Sequence, residues 1–168
     1  GDFIQLAVYC HSNTGVIHIC VNNASISGEG ADVSIGGICY MLRNNDTPST
    51  VEKCVNNGTL KSPSKWAAGI VIGNNGGTVK DCINNAAIET PLIENRDLVS
   101  GGITAYSSGK ISECMNYGKI TGSSAGGICG GIDGNGITNC VNRGDVKGLI
   151  VGGISGSVGC GLYGIEIN

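Results

Sequence analysis

Asp81 and Glu113 are the residues through which this chain could perform hydrolysis. Each stands immediately before a cysteine, Cys82 or Cys114, in otherwise similar segments. If those segments stack, the two carboxylates lie about one strand spacing apart, ~4.8 Å, near the separation of the acid and nucleophile in retaining glycosidases. Lys53 flanks Asp81 in the same file, however, and Glu52 and Lys80 face one another in the file before it. Such alternating charge serves the solubility of an exposed sheet face. Lys61 beside Glu89 and Lys119 beside Asp145 repeat the theme. The pattern predicts charge matching on a noncatalytic chain, with Asp81 and Glu113 as the pair that the alternative, a β-helix polysaccharide-active hydrolase or lyase, would use.

Three other residues point to binding. Trp66, the one tryptophan, sits in a loop rich in Ser and Lys, where its ring could stack on a sugar or pack over its own loop. Tyr117 and Arg143 both stand three residues after a repeated cysteine, which predicts adjacency and a cation–π contact. Metal chemistry finds no support, because there is no Cys-x-x-Cys pair and His11 and His18 have no partner at zinc-site spacing. Gly130–Gly136 is similar to one turn of a calcium-binding roll, but it occurs once where that architecture repeats. Thr104–Lys110 fails as a phosphate loop, since it lacks the opening Gly and Ile111 follows the lysine. No metal and no cofactor are expected.

These residues belong to a segment written five times, anchored on Cys20, Cys54, Cys82, Cys114 and Cys140, with spacings of 34, 28, 32 and 26 residues. The shared pattern is Val/Ile-x-x-Cys-x-Asn-x-Gly/Ala-x-apolar. Each copy is followed, after a loop of variable length, by a small-residue segment such as Gly101-Gly102-Ile103 or Gly126-Gly127-Ile128. The segments are short, β-branched and interrupted by Gly and Asn, so they read as strands rather than helices. Strands this short bury their apolar faces only by stacking coil on coil. The predicted fold is therefore all-β: a parallel β-helix (β-solenoid) of about five coils of roughly 30 residues, right-handed by the rule for parallel crossovers, with residues 1–168 as a single repeat domain.

Stacking assigns each file a role. Ile17, Val51, Val79, Ile111 and Ile137 should point inward, as should Ile26, Leu60, Ile88, Ile120 and Val146. Asn22, Asn56, Asn84, Asn116 and Asn142 mark a corner, where asparagine can bond its own backbone and satisfy turn amides coil after coil. The five anchor thiols form a file of buried free cysteines behaving as small hydrophobes. Cys10, Cys39, Cys129 and Cys160 lie off it and leave room for one bridge. The insertions 28–35, 42–50 and 90–100 are the places for partner-specific surfaces. Asn23, Asn45 and Asn57 open glycosylation sequons that matter only in a eukaryotic secretory pathway.

The stretch Gly126 to Val146, followed by Gly152-Gly153-Ile154-Ser155-Gly156, resembles the GLUG repeat, and the likeness extends over nearly the whole chain through five copies. This resemblance implies a module of large bacterial surface or secreted proteins, including adhesin-like proteins and noncatalytic parts of immunoglobulin A proteases. It implies an extracellular rigid stalk, a purely structural spacer or an adhesive face, with a host or microbial glycan or an extracellular protein as partner and flanking domains of the same polypeptide around it. Composition agrees. A net charge of −3 offers no basic footprint for nucleic acid, and no apolar run approaches the roughly 20 residues of a membrane-spanning helix. Both ends fall inside a repeat, as expected of a fragment of a longer protein.

Overall fold

The computed structural model describes residues 4–44, 47–94, 97–133, 136–158, 162–163 and 166–167. Parallel strands stack in about five coils, and no helix occurs among the described residues. Each coil contributes to four sheets. In the third coil these are Val71–Asn75, Thr78–Lys80, Ile83–Asn84 and Ile88–Glu89, after which Val99–Gly101 opens the next coil. Three of the sheets hold six strands each, and the fourth holds nine because two strands of one coil run along the same wall. In the fourth coil these two fuse into the single strand Ile120–Gly126, which pairs with both Ile88–Glu89 and Val99–Gly101. The wall is thus interrupted between Ile88–Glu89 and Val99–Gly101 and runs straight where the insertion is missing.

The register follows the repeat. Ile17 pairs with Val51, Val51 with Val79, Val79 with Ile111 and Ile111 with Ile137. This file joins the cysteine file and the isoleucines of the Gly-Gly-Ile corners in the principal core. Leu60, Ile88 and Ile120 fill a second core, with Ile26 and Val146 partly buried at its ends. The anchor cysteines are unbridged, and Cys54, Cys82, Cys114 and Cys140 are buried. Their thiols lean on the carbonyl two residues back, as Cys114 Sγ does on Ser112 O at 3.2 Å. Burial pushes the Cys114 thiol well above its ordinary value, so it is a poor nucleophile.

Asparagine holds one corner. Nδ2 of each ladder residue donates to Oδ1 of the next, from Asn22 to Asn56, Asn84, Asn116 and Asn142, at 2.7–2.8 Å. The same Nδ2 atoms donate to the carbonyl two residues on, as Asn84 does to Ala86 O at 2.8 Å. A buried amide needs a partner for each of its polar atoms; stacked in register, each supplies what its neighbour needs. Gly37, Gly69, Gly102 and Gly127, the second residues of four small-residue segments, face this ladder. A Cβ on Gly102 would lie 2.6 Å from Asn116 Cγ, and one on Gly69 would lie 2.8 Å from Asn84 Cγ. The two anchored parts of the repeat are therefore one contact, amide against bare backbone.

A second corner has a different origin. The residues immediately before the cysteines, Ile19, Lys53, Asp81, Glu113 and Asn139, all have left-handed backbone, with φ between 51° and 54°. A single residue turns the chain there, at a conformational cost that Asn and Asp bear better than Ile, Lys or Glu. Beside this corner Glu52 bridges two neighbouring coils, accepting from Lys80 Nζ at 2.9 Å and contacting His18 Nδ1 at 2.9 Å. The Lys80 hydrogen bond holds the Glu52 carboxyl below the usual carboxylate range.

Candidate functional site

Among the described residues, a cleft with aromatic walls lies on the outer surface near the insertion loops. Met41, Gly73 and Tyr106 occupy one register position in three successive coils. Gly73, between two large side chains, leaves a gap that a Cβ would narrow, since it would come within 2.8 Å of Met41 Cε. Trp66 arrives from the insertion of its own coil and closes one side. The space is about 210 Å³ and is lined by Met41, Trp66, Gly73, Asn75, Tyr106 and Ser108. Typical small-molecule pockets span roughly 300–1,000 Å³, so this one suits a single ring.

Each wall is held by the fold. Trp66 Nε1 donates to Asp97 O at 2.9 Å, tying the indole to the insertion of the next coil. Its ring also covers the small apolar cluster of Ala68, Ile72 and Ala105, together with Tyr40 and Val99. Packing over its own loop and lining a cleft are both true of Trp66. Tyr106 is 41% exposed, with its hydroxyl 3.5 Å from Asp133 Oδ2. Partial burial and then the Asp133 charge push its phenol above the ordinary value, so it stays a neutral donor at physiological pH. At the rim Ser108 Oγ lies 3.4 Å from Asn75 Oδ1, which places a hydroxyl and an amide beside the aromatic walls.

The other candidates lie elsewhere. Tyr117 and Arg143 stand in neighbouring coils on an exposed face, each bonded through its N–H to the buried asparagine ladder. Tyr117 turns its hydroxyl to Met115 Sδ at 3.5 Å, and no cation–π contact to Arg143 forms among the described residues. The same file carries a feature absent from the sequence reading: Asn85 donates to Asn57, and Asn57 to Asn23, in a second, exposed ladder at 2.8 Å per step. Asp81 and Glu113 occupy the left-handed corner of adjacent coils, where both charges act on Lys80. They line none of the described clefts. Two further grooves flank the insertion loops, one along Pro63, Pro91 and Leu92 and one along Ile93, Leu149 and Ile150, and neither has an aromatic wall. The calcium-like stretch falls partly, and Cys160 wholly, outside the described residues.

No protein-family model matches this chain, and neither a curated protein nor a solved structure matches it.

Proposed function

We propose that this chain is a noncatalytic repeat module of a bacterial cell-surface or secreted protein, a rigid stalk that presents a ligand-binding face. Its ligand is a sugar ring of a host or microbial glycan, held between Trp66 and Tyr106. The cleft is the observation that carries this reading. An indole, a phenol and a thioether around a glycine floor suit the apolar face of a pyranose, while Asn75 and Ser108 at the rim suit its hydroxyls. The scaffold supports the same reading. Strands bonded coil to coil carry Met41, Gly73, Asn75 and Tyr106, and the Trp66 indole is tied to Asp97 O, so little ordering entropy is lost when a ligand docks. The resemblance to GLUG repeats supports the extracellular setting. The carboxylate pair favoured by the enzymatic alternative has Lys80 beside it and lines none of the described clefts.

Trp66 makes the test direct, because it is the only tryptophan and reports on its own cleft. Titration with cellotriose and with chitotriose is expected to change the intrinsic fluorescence saturably for at least one of them, with no new reducing ends released. Tyr106→Ala should weaken that binding about 30-fold, corresponding to the roughly 2 kcal/mol of an aromatic hot spot. Trp66→Phe should weaken it less. Unchanged fluorescence across a panel of hexose and N-acetylhexosamine oligosaccharides would overturn the glycan reading; release of reducing ends would overturn the noncatalytic one.

A further inference from the structure

The first coil carries chemistry that glycan binding does not use. Cys10 and Cys39, off the main thiol file, are directly opposed on the adjacent parallel strands Cys10–Asn13 and Cys39–Arg43, and their Sγ atoms stand 3.1 Å apart. Directly opposed residues on neighbouring strands have α-carbons about 4.8 Å apart, inside the roughly 4.4–6.8 Å range that a disulfide bridges. The register file continues through Val71 and Thr104, so no third thiol adjoins the pair in the next two coils. Accessibility is asymmetric: Cys10 is partly exposed and Cys39 is buried.

The position matters as much as the proximity. Among the described residues, the first-coil strands Ile4–Ala7, Cys10–Asn13, Val16–His18 and Val21–Asn22 pair on one side only. Val16 and Ile19 are 65% and 64% exposed. In the isolated chain, strands paired on one side only are those whose local opening a covalent link would suppress. One noncovalent clip is already present beside the thiols. His11 stacks on Tyr40 with ring centroids 5.1 Å apart, and Gln5 donates to the Tyr40 hydroxyl at 2.8 Å.

We propose that Cys10 and Cys39 form a reversible disulfide that staples the first coil to the second. The oxidant is a low-molecular-weight disulfide. The Cys10 thiolate attacks one of its sulfurs, breaking the small disulfide, forming a mixed disulfide and expelling one small thiolate. The Cys39 sulfur then attacks Cys10 Sγ, forming the internal bond and expelling the second small thiolate. Two protons leave the protein and appear on the two small thiols; the protein loses two electrons and the oxidant gains two. Burial raises the Cys39 thiol above its ordinary value, which makes partly exposed Cys10 the first attacker.

The test is to incubate the folded chain with oxidised glutathione and map the product by peptide mass spectrometry. The expected product has lost two hydrogens, links Cys10 to Cys39, and returns to the dithiol with dithiothreitol. Amide exchange over residues 4–22 should slow about tenfold on oxidation, because local opening of that edge is suppressed. Cys10→Ser and, independently, Cys10→Ala should retain the fold and lose both the link and the protection. A glutathione adduct on Cys10 that never resolves, a link between other cysteines, or unchanged exchange in the linked product would each overturn the proposal.

Discussion

Replacing Asn84 by alanine is expected to cost about 3–5 kcal/mol of stability, from three buried hydrogen bonds at roughly 1 kcal/mol each plus the space left behind. Asn84 is fully buried. It accepts from Asn56 Nδ2 at 2.8 Å and donates to Asn116 Oδ1 at 2.7 Å and to Ala86 O at 2.8 Å. Asn84→Asp isolates the role of the amide donor. It keeps the shape but puts an acceptor against two acceptors, Asn116 Oδ1 and Ala86 O. The buried carboxyl is then driven to its protonated form, with a folded pKa above the unfolded value of about 3.9. The sign follows by linkage: this variant is most stable below that unfolded value and loses stability as pH rises toward the raised folded value. Asn85→Ala, one residue away in the exposed ladder, should cost under about 1 kcal/mol, because water replaces its partner. Urea unfolding of the three variants at two pH values measures all of this.

Gly102→Ala is expected to cost about 3 kcal/mol or more, at the upper end of what overpacking produces. The added Cβ would stand 2.6 Å from Asn116 Cγ and closer still to the Gly127 carbonyl oxygen. One neighbour is pinned by the amide ladder and the other is backbone of the next coil, so neither can yield. The effect is steric, since Gly102 is not among the positive-φ glycines. Gly15→Ala is the matched control: its nearest neighbour would be Asn13 Oδ1 at 3.9 Å, and its stability should change by less than about 0.5 kcal/mol. If the two alanine variants unfold alike, the contact between glycine and asparagine files does not organise the interior.

Much of the architecture was legible because stacking converts sequence periodicity into spatial adjacency. The cysteine, asparagine and aliphatic files could be read off by alignment of the five copies, and the structure pairs them in that order. The left-handed corner could not be. Its file reads Ile, Lys, Asp, Glu and Asn, a set without common chemistry, of which only Asp and Asn have a known tolerance for that backbone. What forces the conformation is the closure of the coil, a tertiary demand that overrides local preference.

The cleft was half legible. Trp66 was visible as an isolated aromatic, but its partners are set by the register of another wall. Met41, Gly73 and Tyr106 each stand four residues after the second position of the small-residue anchor, Gly37, Gly69 or Gly102. Counting forward from that anchor, rather than only around the cysteine, would have found the file. That Trp66 reaches it depends on the path of a loop whose length varies between coils, and no alignment of repeats contains that. Tyr117 and Arg143 were placed correctly as neighbours, but side-chain direction on an exposed face follows local partners such as Met115 rather than the register.

The most direct measurement of the stacked register is the side-chain amide spectrum of the buried asparagines. In a 15N-edited NOESY experiment, the Nδ2 protons of Asn56, Asn84 and Asn116 should show contacts from each residue to the next and exchange slowly with solvent. Rapidly exchanging amides with no contacts between residues 56, 84 and 116 would contradict the coil-on-coil alignment, and with it the placement of Trp66 and Tyr106 around one cleft.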